Sequence, residues 1–225
     1  MHEVAIRPEI IERVLARRGR LHLYERLDAK RTALVVIDMQ NAFVAPGAPI
    51  EVPGAREIVP AINRLAAELR RRSVPVIWVQ HQNAPDGRDW ERFFGCFVAP
   101  ENRARAAKAL SAGSELQRLW PELGVQAADT VVNKNRYSAL IPGASSLAEV
   151  LRAKGIDTLL IAGTKTNVCC ECTARDAMML DYKVVLLCDC TAALSDDEHL
   201  ATLENVIQQF GDVMTADDAL ALLSP

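Results

Sequence analysis

No run in this 225-residue chain approaches the roughly 20 consecutive apolar residues that a bilayer-spanning helix requires. The first thirty residues hold no continuous apolar segment of the kind a secretory leader needs, so a cytoplasmic location is expected. Charge of one sign is also missing. The 26 Lys and Arg stand against 29 Asp and Glu, and the net charge is −3. Basic residues are scattered among acidic ones, which argues against a nucleic-acid partner. Histidine is scarce, and His2, His22, His81 and His199 lie too far apart to form a recognisable ligand motif, so no metal and no cofactor are expected. There is no internal repeat and no low-complexity segment. Six cysteines are too few for a disulfide scaffold in a chain of this length, and three of them fall within four positions (Cys169, Cys170, Cys172). Reduced thiols are the simpler expectation. A zinc or redox reading of these three with Cys188 and Cys190 is disfavoured by their spacing and by Cys188 ending a buried strand.

What is present is a regular alternation. Residues from about Arg7 to Asp28 are polar and helix-favouring, with Ile10, Ile11, Val14 and Leu15 on one face. Residues 1–30 are expected to be a helical extension outside the sheet, packed on this domain or on a neighbouring subunit, and residues 31–225 a single domain. Apolar strand-like runs occur at 33–37, 75–79, 129–133, 158–162, 184–187 and 213–214, with helical patterns between them at 58–69, 145–154, 168–180 and 198–209. The run Arg70-Arg71-Arg72 reads as the solvated last turn of a helix, where cations suit the dipole. Residues 82–112 read as an irregular segment, long enough to be functional or to form a lid. Six short apolar strands separated by helices predict an α/β fold, a three-layer α/β/α domain with a doubly wound six-stranded parallel sheet. In such sheets ligands sit beyond the carboxyl ends of the strands.

Three residues able to do chemistry fall at such ends: Asp38 after the first strand, Lys134 at the end of the third and Cys169 after the fourth. An acid, a cation and a thiol on one rim suit acyl transfer, since a carboxylate can move protons and an ammonium can stabilise a thiolate. Cys169 would lie between strand and helix, where amides and the helix dipole favour thiolate and can hold an oxyanion. Each residue alone has a plainer reading: Asp38 as a turn or cap, Lys134 as a surface charge, Cys169 as a small core residue. His81, at a strand end, could orient substrate, but reads first as a polar residue satisfied by a backbone partner.

The stretches Ile37-Asp38-Met39-Gln40, Lys134 with Arg136-Tyr137-Ser138, and Gly163-x-x-Thr166-Asn-Val-Cys169-x-Glu-x-Thr173-x-Arg-Asp176 resemble the isochorismatase-like cysteine hydrolases, over roughly residues 32–215. Within that superfamily the ureidoacrylate and N-carbamoylsarcosine amidohydrolases are the most similar groups. The resemblance implies an Asp–Lys–Cys triad of Asp38, Lys134 and Cys169. It also implies a cis peptide between Thr164 and Lys165, with an oxyanion hole formed by the Lys165 and Cys169 amides. The expected activity is metal-independent hydrolysis of a linear C–N bond in a small amide or ureido (carbamoyl) compound. Gln40, Asn41, Tyr137 and Trp90 are candidates for substrate contacts, with Phe93 and Phe94 beside them. A homo-oligomer, dimer or tetramer, is expected. The alternatives are an isochorismatase-type vinyl-ether hydrolase, against which Cys169 counts, and a non-catalytic scaffold of the same fold. The chain departs from the family pattern at Cys170, Cys172 and Lys165. Lys165 would favour an anionic substrate if its side chain reached the pocket, and would otherwise point to solvent.

Overall fold

The computed structural model describes residues 2–224. After α1 (Pro8–Arg18) and the short β1 (Leu27–Asp28), the chain alternates: β2 (Thr32–Ile37), α2 (Asn41–Val44), α3 (Gly54–Arg71), β3 (Val76–His81), α4 (Glu91–Cys96), α5 (Arg103–Ala109), β4 (Thr130–Lys134), α6 (Leu147–Ala153), β5 (Thr158–Thr164), α7 (Glu171–Met179), β6 (Lys183–Ala192), α8 (Asp196–Asn205), β7 (Asp212–Met214), α9 (Ala216–Leu222) and β8 (Leu223–Ser224). Six strands form one parallel sheet in the order β4-β3-β2-β5-β6-β7, and β1 pairs with β8 apart from it.

Every residue of β2 and of β5 is buried, as a parallel strand covered on both faces requires. The period-two alternation divides the core. Leu34, Val36, Trp78 and Leu160 pack with the apolar stripe of α3 and with α9. Val35, Ile37, Val79 and Ile161 point the other way, among Leu147 and Leu151 of α6, Ala174 and Ala177 of α7 and Leu203 of α8. Burying Ile58, Ile62, Leu65 and Leu69 of α3 contributes about 1.5–3 kcal/mol per side chain.

Strand order runs outward in both directions from the β2–β5 pair, so the switch point lies between Ile37 and Gly163, which face each other in register. His81 and Lys134 are likewise register partners at the ends of β3 and β4. The topology alone therefore brings Asp38, His81, Lys134 and the turn after β5 to one rim.

Several elements differ from the sequence pattern. The segment before α7 is a π-helical turn, Thr166–Cys170, rather than the start of the α-helix. Strand β6 continues to Ala192 through a register shift opposite Ile161 and Gly163, so Cys188 lies within it rather than at its end. Residues 82–112 carry two short helices, α4 and α5, and the rings of α4 pack on Trp90 and Tyr137 in a cluster that no periodicity announces. Arg70 is not solvated, because its guanidinium forks onto Asp129, which also accepts from the indole of the buried Trp78. The N-terminal helix docks on its own chain. Ile10 and Val14 enter the core, Arg7 pairs with Glu204, and Asp212 receives the Leu23 amide at 2.6 Å.

Candidate active site

Lys134 is the hub. Its Nζ lies 2.8 Å from Asp38 Oδ2, 3.0 Å from the Arg136 carbonyl, 3.3 Å from His81 Nδ1 and 3.5 Å from Cys169 Sγ. Asp38 and the Lys134 side chain are fully buried, and Cys169 is 4% exposed. Burial works against the lysine's charge, but Asp38 and then Cys169 overcome it and hold the ammonium above its ordinary range. Burial also pushes the Cys169 thiol up; Asp38 adds to this and Lys134 opposes it. A sulfur this far from water, beside a carboxylate, keeps its proton until a base removes it. The second oxygen of Asp38, Oδ1, is buried without a hydrogen-bond partner.

His81 is pushed down to about 4, first by burial and then by Lys134, so it is neutral. Its Nε2 lies 2.8 Å from Asn83 Oδ1, an acceptor only, and Nδ1 faces the ammonium, a donor only. The proton is therefore on Nε2. This replaces the backbone-partner expectation: the ring braces Lys134. The signal was its position at a strand end, one strand over from Lys134.

The turn carrying Cys169 is built by its neighbours in sequence. Gly163 adopts φ 111, and a Cβ there would collide with the Ile37 carbonyl oxygen and lie 2.6 Å from its nitrogen, so only glycine lets β5 approach the residue before Asp38. Asp38 itself has φ 53, a left-handed conformation that aspartate tolerates better than most residues. The Thr164–Lys165 peptide is cis. Thr173 Oγ1 donates to the Cys169 carbonyl at 2.7 Å and receives the Ala139 amide at 3.2 Å. Thr166 pairs with His199 at 3.0 Å, and Glu171 receives the Thr202 hydroxyl at 2.6 Å and binds Arg175. These motif residues hold the turn in place and do not face the reactants.

A cavity of about 870 Å³ opens above Cys169, lined by His81, Asn83, Trp90, Tyr137, Lys165 and Val168, with Phe93, Phe94, Phe97 and Arg105 along its outer wall. Trp90 stacks on Phe93 at 4.7 Å and meets Tyr137 edge-on at 4.8 Å, while the Arg136 guanidinium lies 5.1 Å over the indole. Of the residues singled out for substrate contact, Trp90 and Tyr137 line this cavity, as does Lys165, while Gln40 and Asn41 are not among its lining residues. The Gln40 amide is spent on the His81 and Gln117 main chain, at 2.6–2.9 Å, tying two strand ends to the following loop. Asn41 donates to the Glu115 carbonyl at 2.7 Å. Asn83, Phe97 and Arg105 were not singled out from sequence, because nothing in a chain's local pattern marks a loop residue as wall-forming. Among the described residues, no three His, Cys, Asp or Glu side chains converge as metal ligands would, and no helix is long and apolar enough to cross a membrane.

A doubly wound sheet with an acid, an ammonium and a thiol at its switch point defines a class, and sequence comparison gives its family. The Isochorismatase domain matches residues 32–218, and the chain belongs to this family of hydrolases. Among its relatives is ureidoacrylate amidohydrolase RutB of Pseudomonas savastanoi pv. phaseolicola, 32% identical over 214 residues that span 89% of this chain and 86% of that protein. The crystal structure of a cysteine hydrolase from Pseudomonas syringae pv. phaseolicola superposes with a TM-score of 0.82 at 30% identity, covering 90% of this chain and 96% of that one. N-carbamoylsarcosine amidase from Thermoplasma acidophilum superposes with a TM-score of 0.66 at 27% identity, covering 83% and 97%.

Proposed function

We propose that this protein is a cysteine amidohydrolase that cleaves a linear C–N bond in an amide or ureido compound, with Asp38, Lys134 and Cys169 as its catalytic residues. The observation that carries the reading is the pair of Asp38 oxygens, one on Lys134 and the other buried without a partner in the cluster that holds the Cys169 thiol. A free acceptor and a protonated nucleophile in one buried cluster are the two halves of general-base activation. The relatives described as amidohydrolases and amidases supply the bond type.

Asp38 takes the thiol proton as sulfur bonds to the substrate carbonyl carbon, and Lys134 offsets the negative charge that builds on the cluster. The carbonyl electron pair moves onto oxygen, held by the Lys165 and Cys169 amides in the turn that floors the cavity. When the tetrahedral species collapses, the C–N bond breaks, and Asp38 returns its proton to the departing ammonia or amine. A thioester-type acyl-enzyme remains. Asp38 next deprotonates a water that attacks the acyl carbon, and the C–S bond breaks with the proton returned to sulfur. No step calls on a metal.

The test is ammonia release from ureidoacrylate, N-carbamoylsarcosine, biuret, maleamate and nicotinamide, with intact-mass analysis of the quenched enzyme. Turnover of at least one amide or ureide is expected, with a covalent adduct on Cys169. Cys169→Ala should lower the rate about 10⁴-fold or more, as removal of other catalytic nucleophiles does. Undiminished turnover by that variant, or no ammonia from any substrate with the wild-type protein, overturns the proposal.

A further inference from the structure

The cavity above Cys169 carries more positive charge than the catalytic cluster uses. Two cations line it, Lys165 and Arg105, and no Asp or Glu does. The Lys165 carbonyl receives the Val168 and Cys170 amides at 3.2 and 3.1 Å, so its backbone is held in the nucleophile turn. Its ammonium, by contrast, makes no hydrogen bond or ion pair among the described residues. Arg105 donates to the Asn102 amide oxygen at 2.9 Å, a neutral partner that leaves its charge unmatched. His81, the other basic side chain at the wall, is neutral. In a chain whose net charge is −3, an acid-free cavity with two unpaired cations is a local reversal of sign.

Size and lining carry the second half. At about 870 Å³, with an 81% exposed Phe97 on its outer wall, the cavity lies in the roughly 300–1,000 Å³ range of sites for drug-sized ligands. A ureido acid of a few carbons would leave most of it filled with water. The wall that would then stay wet is the ring cluster of Trp90, Phe93 and Phe97, which is apolar and π-rich.

We infer that the cavity selects amides or ureides bearing a carboxylate and a bulky apolar or aromatic portion, with Lys165 pairing with the carboxylate and the Trp90–Phe93–Phe97 wall covering the apolar part. This rests on the amidohydrolase reading. Lys165 acts here as a specificity-determining residue through its side chain, while its amide belongs to the reaction itself.

The experiment compares kcat/KM for ammonia release from N-carbamoylphenylalanine, its methyl ester, N-carbamoylglycine, and an analogue of the first with an aminomethyl group in place of the carboxylate. Wild-type enzyme should prefer the aromatic acid about tenfold or more over both the ester and the glycine compound, the scale of one charge-assisted contact or one buried ring. Lys165→Met should shrink the acid-to-ester ratio by about ten- to a hundredfold, Lys165→Arg should restore most of it, and Lys165→Glu should turn preference toward the cationic analogue. Because each readout is a ratio within one variant, a general loss of rate cancels. An acid-to-ester ratio indifferent to Lys165, or a preference for N-carbamoylglycine, overturns the inference while leaving the hydrolase intact. Failure of the wild type on these compounds and on the small amides alike overturns both.

Discussion

Lys134 Nζ has three protons and four acceptors around it, so one hydrogen bond must be shared. At 3.5 Å the sulfur is the farthest partner, and its share grows only when it becomes an anion. His81 sets that balance, because its Nδ1 lone pair holds one proton of the ammonium away from the thiol. Replacing His81 with Ala should therefore loosen Lys134 and lower kcat about ten- to a hundredfold with a smaller change in KM, the range typical of lost positioning. His81→Asn, which can still offer an acceptor, should recover part of it. Equal kcat in His81→Ala and wild type would show that the ring does not brace the lysine. At this scale Asp38, Lys134 and Cys169 were legible because strand-end positions are predictable once the strands are. The contact of His81 with Lys134 and the binding of the Gln40 amide to backbone are not legible, because both depend on partners from other strands and loops.

Among the elements, the meeting of β2 with β5 is the least tolerant of change. Gly163→Ala would force a Cβ into the Ile37 carbonyl, displacing backbone in the middle of the sheet next to Asp38. Loss of about 3 kcal/mol or more and of nearly all activity is expected, measured by urea unfolding and by ammonia release. A stable, active variant would mean that the strands can slide apart without disturbing the acid. The strands themselves were readable, since a buried parallel strand is written as a β-branched run. The two helices of 82–112 were not. They are only 6 and 7 residues long, below the length at which propensity sustains a helix, and α4 packs its Phe93 on Tyr137 from a distant part of the chain. The π turn at Thr166–Cys170 is hidden for a related reason: Thr173 and His199, on a later turn and another element, bond its Cys169 carbonyl and its Thr166 hydroxyl.

For the whole molecule, two buried neutral histidines make stability depend on pH. His81 and His199 are each lowered from 6.5 to about 4, by burial first and by Lys134 and His2 respectively. Between those values the unfolded chain binds protons that the folded chain does not, so acidification favours unfolding. Stability is fully present above about pH 6.5 and falls as pH drops toward 4, by up to roughly 3 kcal/mol per histidine. Urea titrations across this window should show the midpoint falling, with a shallower fall in His199→Gln. A midpoint flat from pH 7 to about 4 would show that neither ring is held neutral by the fold.

The order of strands and helices, the three-layer architecture and the three catalytic candidates were all written locally, in hydrophobic period and in polar residues placed where strands stop. Those are short-range properties, and a linear reading can reach them. The partnership of His81 with Lys134, the protonated state of the thiol, and the convergence of Trp90, Phe97, Arg105 and Lys165 on one cavity were settled by packing. They depend on distances of a few ångströms between side chains far apart along the chain, and on how much water the folded core leaves around each charge.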